Sequence, residues 1–206
     1  MRWIFDIENP VMHYVIKVFD CMCLSVLWLL FSLPVITAGT SATALYTTVY
    51  HYIRKEEGNL LSTFWRAFRE NLKRSTILWL VVLVVAAVLV ADVLVFRTMA
   101  INGQLLGKLY WLILLLCGVA VTWVAYLIVY AARFQGTVPD VLRVSFLLMI
   151  AHPVKAILVF VPVAAGILLA VMAPGLLTIL PAGICLIVSL ITEQVFTLHL
   201  PQKDNP

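Results

Sequence analysis

The chain has 206 residues, 64% hydrophobic and 12% charged, with a mean hydropathy of +1.07, whereas an average soluble domain carries about 25% charged residues. That balance excludes an ordinary water-soluble domain, and no segment between the apolar runs is long enough to fold by itself. The formal net charge of +4 is not a nucleic-acid signature, because the basic residues flank apolar runs, where they set orientation and meet lipid phosphates.

The N-terminal arm carries Asp6, Glu8 and Asp20 in place of a basic leader region, so the first apolar run, residues 18–36, reads as a permanent span. It ends in Pro34, followed by Gly39, Thr40 and Ser41. Proline removes a backbone donor, glycine permits a turn or a close approach, and Thr40 or Ser41 can cap the next helix. Two readings of this break stay open. A helix N-terminus at membrane depth offers N–H groups to a polar ligand, with Thr37, Gly39, Thr40, Ser41, Tyr46, Arg133 and Glu193 as the candidate set. Alternatively, Ala38, Gly39, Ala42 and Thr43 are simply small residues that let helices pack closely.

Residues 38–53 form a shorter sixth candidate helix without Asp, Glu, Lys or Arg, rich in Ala, Thr and Tyr. Its 16 residues give about 24 Å of helix, short of a bilayer core of about 30 Å. Residues 60–74 then repeat Leu61, Phe64, Trp65, Phe68 and Leu72 at three- and four-residue steps, opposite Arg66, Arg69 and Lys73. This pattern predicts an amphipathic interfacial helix, capped at Asn59 or Ser62, with its aromatic face at the acyl boundary. Arg66, Arg69, Lys73 and Arg74 are the expected lipid headgroup contacts.

Long apolar runs follow at residues 76–96, 109–131, 154–172 and 176–198. With the first run they predict an all-α polytopic helix bundle, one integral-membrane domain over residues 1–206 with five long spans and the shorter sixth helix. A second, fainter amphipathic pattern, Val141, Leu142, Phe146 and Met149, precedes Pro153. Glu193, flanked by Thr192 and Gln194, is the deepest ionisable residue within a run, and intramembrane charge is a functional suspect by default.

Basic residues set the orientation. Arg54, Lys55, Arg66, Arg69, Lys73 and Arg74 occupy one connection, and Arg133, Arg143 and Lys155 another; both are expected in the cytoplasm. The connection through Asn102 and the uncharged Ala173-Pro174-Gly175 link then face outward. Six crossing helices put both termini in the cytoplasm, and five leave the N-terminal arm outside.

The cysteines Cys21, Cys23, Cys117 and Cys185 lie in or beside apolar runs without CxxC spacing, and His13, His51, His152 and His199 make no HxxxH or HExxH pattern. No metal or cofactor is expected. Nor does any spacing bring together a nucleophile with a base, or a carboxylate pair, so no catalytic residue is assigned and no enzymatic activity is expected.

Several stretches together resemble the bacterial YesL family of small multi-pass membrane proteins. They are Asn9-Pro10, Trp28-Leu29-Leu30-Phe31-Ser32-Leu33-Pro34-Val35-Ile36-Thr37-Ala38-Gly39 with Thr43-Ala44-Leu45-Tyr46, residues 64–71, and Arg133-Phe134. The distinctive part is Pro-Val-Ile-Thr-x-Gly. Where such proteins often have Asn ahead of the Leu-Trp of the first span, this chain has Ser25. The resemblance implies a bacterial cytoplasmic-membrane protein loosely associated with carbohydrate uptake, and it brings no catalytic residues with it. The expected role is an accessory or regulatory component, with the lipid bilayer and a transporter permease as partners and no nucleic acid. The alternative is a small secondary transporter or channel with a polar site near residues 34–41. Oligomeric state is not written in these patterns.

The charge asymmetry yields a labelling pattern. In a background without the native cysteines, a cysteine at Ser62 or Thr137 should resist a membrane-impermeant thiol reagent applied to intact cells, and one at Asn102 should react. Labelling at either of the first two positions overturns the orientation.

Overall fold

The computed structural model describes residues 10–54, 58–102, 105–134 and 136–199; the side chains of residues 10–15, 105 and 193–199 lie outside that description, as do the N-terminal arm, Lys55 and the tail after Leu200. Among the described residues seven α-helices follow one another: α1 (Pro10–Ser32), α2 (Ala38–Thr48), α3 (Leu60–Ile101), α4 (Tyr110–Arg133), α5 (Val138–Ala151), α6 (Pro153–Met172) and α7 (Leu180–His199). There is no strand among the described residues. Short 3-10 turns at Val35–Thr37, Leu105–Leu109 and Pro174–Thr178 join helices, and α2 runs on into a π-helical turn, Val49–Arg54.

Among the described residues, three helices are long and apolar enough to cross a bilayer by length and composition: Leu60–Ile101, Leu106–Arg133 and Pro153–Met172. The described part of α7, Leu180–Thr192, is a shorter apolar helix, and α1 is not among the three. Of the five long spans expected from the apolar runs, three meet this criterion among the described residues. The flanks of α3 and α6 bear that character out. Val84, Val88, Leu94, Ile157, Val161 and Leu168 are all exposed, a density of outward apolar side chains that water does not support and hydrocarbon does.

The expected break is present. α1 stops at Ser32, Pro34 is extended, and Thr37 donates its hydroxyl to the carbonyls of Phe31 (2.8 Å) and Pro34 (2.9 Å). Thr40 and Ser41 do not cap α2, which begins at Ala38; both are fully buried inside it. The helix carries through Tyr50, as expected.

Residues 60–74 are not a separate interfacial helix. They are the first turns of α3, whose 42 residues extend about 63 Å, twice the hydrocarbon thickness. Neither Gly nor Pro interrupts the sequence between Leu60 and Ile101, so the backbone has no reason to break. The corresponding segment before α6 does end, at His152, because Pro153 follows it. Phe64 and Phe68 also leave the expected acyl boundary: they are buried, with ring centroids 5.7 and 5.0 Å from Phe31 of α1. Trp65 and Leu61 stay exposed, at 52% and 66%. In α5, Val141 and Met149 are buried with Ser145, whereas Phe146 points outward against Trp123.

At the centre of the bundle is α2. Eight of its eleven residues are buried, and its side chains feed two clusters: Ala44, Leu45 and Val49 with Leu24, Phe64, Phe68 and Ala182, and Tyr46 and Tyr50 with Tyr126, Val129, Val159 and Val188. A third cluster joins α3, α4 and α5 through Leu78, Val82, Leu127 and Val141. The α2–α3 seam is the closest. A Cβ built on Gly39 would lie 2.5 Å from the Cβ of Trp79; Thr40 and Thr76 hydroxyls are 3.2 Å apart, and Thr43 donates to Ser75 at 3.2 Å.

Substituting Gly39 should therefore be costly even for Ala. The nearest obstacle is Trp79 Cβ, which no rotamer change can move, so the two helices must separate. Gly39→Ala is expected to lose roughly 1–3 kcal/mol and Gly39→Val more, measured as thermal stability in detergent, and shortening Trp79 to Ala should not restore it. An unchanged melting temperature for Gly39→Val would show that the seam is looser than described.

Candidate functional site

The residues nominated at the break divide among separate places. Thr37, Gly39, Thr40 and Ser41 lie where α1, α2 and α3 meet, and each of their hydroxyls is occupied. Ser41 donates to the Trp28 carbonyl (3.0 Å), Thr40 meets Thr76, and Thr43 also turns to the Thr40 carbonyl (2.8 Å). Trp79 Nε1 donates to the Val35 carbonyl at 2.7 Å, which closes the 3-10 turn from outside. Tyr46 is deeper, fully buried, with its hydroxyl 3.4 Å from that of Thr192. Arg133 is at the far end of α2, its guanidinium carbon 3.9 Å above the centre of the Tyr50 ring. From Gly39 to Tyr50 is eleven residues, about 16 Å along a helix, so these groups do not converge on one ligand. The Glu193 side chain lies outside the described residues.

A polar cleft of about 700 Å³ opens instead at that far end. Thr47 and His51 of α2, Thr63, Arg66, Glu70, Asn71 and Arg74 of α3, and Ala131 to Phe134 at the close of α4 line it. Arg66, Glu70 and Arg74 follow at four-residue steps, so a single helix face presents all three. Arg66 is exposed and Arg74 half-buried. Arg74 was expected to touch lipid headgroups, but it turns inward and donates to the carbonyls of Ala131 and Phe134, the latter at 2.9 Å. A helix end leaves its last carbonyls without intrahelical partners, and this guanidinium satisfies two acceptors at the end of α4. Arg69 and Lys73 remain exposed.

Arg133 and Arg54 both approach Tyr50, at 3.9 and 5.5 Å from the ring centre, and Arg54 also donates to the Ser189 carbonyl (3.3 Å). Tyr52 donates to Asp20 at 3.1 Å, so this carboxylate within the first run has a structural partner. The two basic connections predicted to share a side thus meet at one end of the bundle, through Arg74 and Tyr50. Between the helices lies a second cavity of about 620 Å³, with apolar walls that include Leu45, Val82, Val121 and Val163.

Two contacts were not legible in the sequence. Tyr50 was one apolar residue among many, and only the return of α4 reveals it as an arginine platform. Ser25 is fully buried, and its hydroxyl accepts the Ala182 N–H at 3.2 Å in the first turn of α7. An Asn side chain also carries an oxygen able to accept that N–H, which accounts for either residue at this place. Among the described residues, no three His, Cys, Asp or Glu side chains cluster as metal ligands.

Comparison with known proteins places this geometry in a family context. A family model described as "Protein of unknown function, DUF624" matches residues 21–93, the stretch that holds most of α1, the break, α2 and the α2–α3 seam. The chain is similar to the uncharacterized protein YesL of Bacillus subtilis (strain 168), with 28% identity over 162 residues, covering 77% of this chain and 75% of the relative. No solved structure matches the chain. The two matches support a YesL-like family, in line with the Pro-Val-Ile-Thr-x-Gly resemblance.

Arg74 and Arg66 should separate by substitution. Arg74→Lys is expected to lose roughly 1.5–3 kcal/mol of stability, because one terminal guanidinium nitrogen reaches both carbonyls and the shorter lysine stem does not bring its ammonium to that position. Arg66→Lys should change it by less than about 0.5 kcal/mol. Equal melting temperatures for the two variants would remove the helix-end role of Arg74.

Proposed function

From a YesL-like chain as the premise, we propose a multi-pass protein of the bacterial cytoplasmic membrane that assists or regulates a solute-uptake system, with carbohydrate as the solute class, and does not conduct the solute itself. α1, α2, α3, α4, α6 and α7 cross in this reading, with α2 as the short sixth span, and both termini are cytoplasmic. The partners are the bilayer and a permease; Arg66, Arg69 and Lys73 meet anionic headgroups, each contributing about 1 kcal/mol near the surface.

One observation carries the non-conducting part. A conduit needs polar groups that stand ready to replace a solute's hydration, yet the hydroxyls of Thr37, Thr40, Ser41 and Thr43 are spent on backbone carbonyls and on Thr76 and Ser75. The cavity between the helices is apolar, which supports the same reading, since its walls offer a sugar no hydrogen bonds in place of water. Polar surface gathers at the basic end, where a regulatory contact would form.

Purified protein in liposomes should show no solute-dependent flux above empty vesicles for a panel of mono- and disaccharides. In native membranes, chemical crosslinking of the tagged chain should recover a solute permease. Saturable flux by the protein alone would replace this reading with a small secondary transporter or channel.

A further inference from the structure

We infer that the cleft between α2, α3 and the end of α4 binds a phosphate monoester dianion, either the headgroup of an anionic lipid or a soluble phosphorylated metabolite. The inference stands on the geometry of the cleft and does not depend on the accessory role.

Charge comes first. Three guanidinium groups line the cleft, Arg66, Arg74 and Arg133, against one carboxylate, Glu70. Counting arginine as +1 and glutamate as −1 leaves an excess of +2, which a monoester dianion neutralises and a single carboxylate does not. Arg74 sharpens this excess. It is half-buried, and the acceptors it reaches, Ala131 and Phe134, are neutral carbonyls. Its buried Nε has no hydrogen-bond partner among the described residues, and the two carbonyls do not neutralise its charge.

Geometry comes second. The Arg133 guanidinium carbon lies 3.9 Å from the centre of the Tyr50 ring, a cation–π contact that holds this charge at the cleft wall. A planar guanidinium is the side chain whose donors match phosphate oxygens two at a time. Asn71 holds one side-chain N–H on the Ala67 carbonyl at 3.0 Å, which orients its amide at the cleft wall. Arg66 is the exposed member, placed to meet an incoming anion at the mouth. The volume of about 700 Å³ is that of a small-molecule site.

The test uses full-length protein in phosphatidylcholine nanodiscs, titrated calorimetrically with glycerol 3-phosphate and, at equal ionic strength, with acetate. A parallel arm compares nanodiscs containing phosphatidic acid with phosphatidylcholine alone, read by native mass spectrometry of retained lipid. Binding of glycerol 3-phosphate over acetate assigns a soluble ligand, and retention of phosphatidic acid without soluble binding assigns a lipid; either supports the site. Arg66→Gln and Arg133→Gln should each weaken binding about tenfold or more, the scale of one lost charge-assisted hydrogen bond. Arg133→Lys should recover part of that loss, and Glu70→Gln should tighten binding several-fold. Arg66 is exposed, so its variant decides the matter if Arg133→Gln fails to fold. No preference over acetate or phosphatidylcholine in both arms, or binding indifferent to Arg66→Gln and Glu70→Gln, would overturn the proposal. Sugar flux by the purified chain would overturn the accessory reading and leave this one standing.

Discussion

The contact between α2 and α3 sets the rest of the bundle, because α2 is rich in hydroxyl groups and has to bury them. Its positions 39, 40 and 43 meet positions 79, 76 and 75 of α3 in an antiparallel match. The glycine admits the tryptophan, and the hydroxyls bond to each other or to backbone carbonyls. Between helices in hydrocarbon, apolar contact adds little over contact with lipid, so close approach and internal hydrogen bonds carry association. Thr43, Thr47 and Thr48 each return a bond to a carbonyl four residues earlier, which leaves few donors to face outward. With α2 enclosed in this way, α1, α4, α6 and α7 pack around it, and their exposed apolar flanks face away.

The same seam explains the shape of the basic end. α3 continues without a break from the α2 contact to Leu60, so its first turns are a rigid extension and not a hinged helix lying on the surface. Phe64 and Phe68 close against Phe31 and hold α1 to that extension. On the side facing α4, Arg74 takes two carbonyls at the end of α4, and Tyr50 at the end of α2 receives Arg133. Three chain segments distant in sequence thus surround one polar cleft. The break at Pro34 is closed by contrast, since Thr37, Ser41 and Trp79 satisfy its carbonyls.

Much of this was legible in the residues. Composition and run length determine the helical class and the apolar segments; Pro34 determines the end of α1, and Gly39 a close approach. Clustering of Arg and Lys in two connections agrees with their meeting at one end. These follow from local rules: a backbone donor is absent, a side chain is absent, or a run is long enough. Less legible were the boundaries that depend on neighbours. Amphipathic periodicity in residues 60–74 is real, but periodicity does not say whether the apolar face meets lipid or Phe31, or whether the helix stops before the next run.

By itself, then, the sequence determined an all-helical, strongly apolar chain, its break after the first run and the segregation of its basic residues, because propensity, periodicity and charge are properties of neighbours along the chain. Only the tertiary structure decided that Arg74 closes α4 instead of facing lipid, that Ser25 supports the first turn of α7 and that Tyr50 carries arginines. The physical reason is that a hydrogen bond or a ring stack is chosen by whichever partner the fold brings within about 3 to 6 Å, and those partners are separated by 57, 157 and 83 residues in the chain (74 to 131, 25 to 182 and 50 to 133).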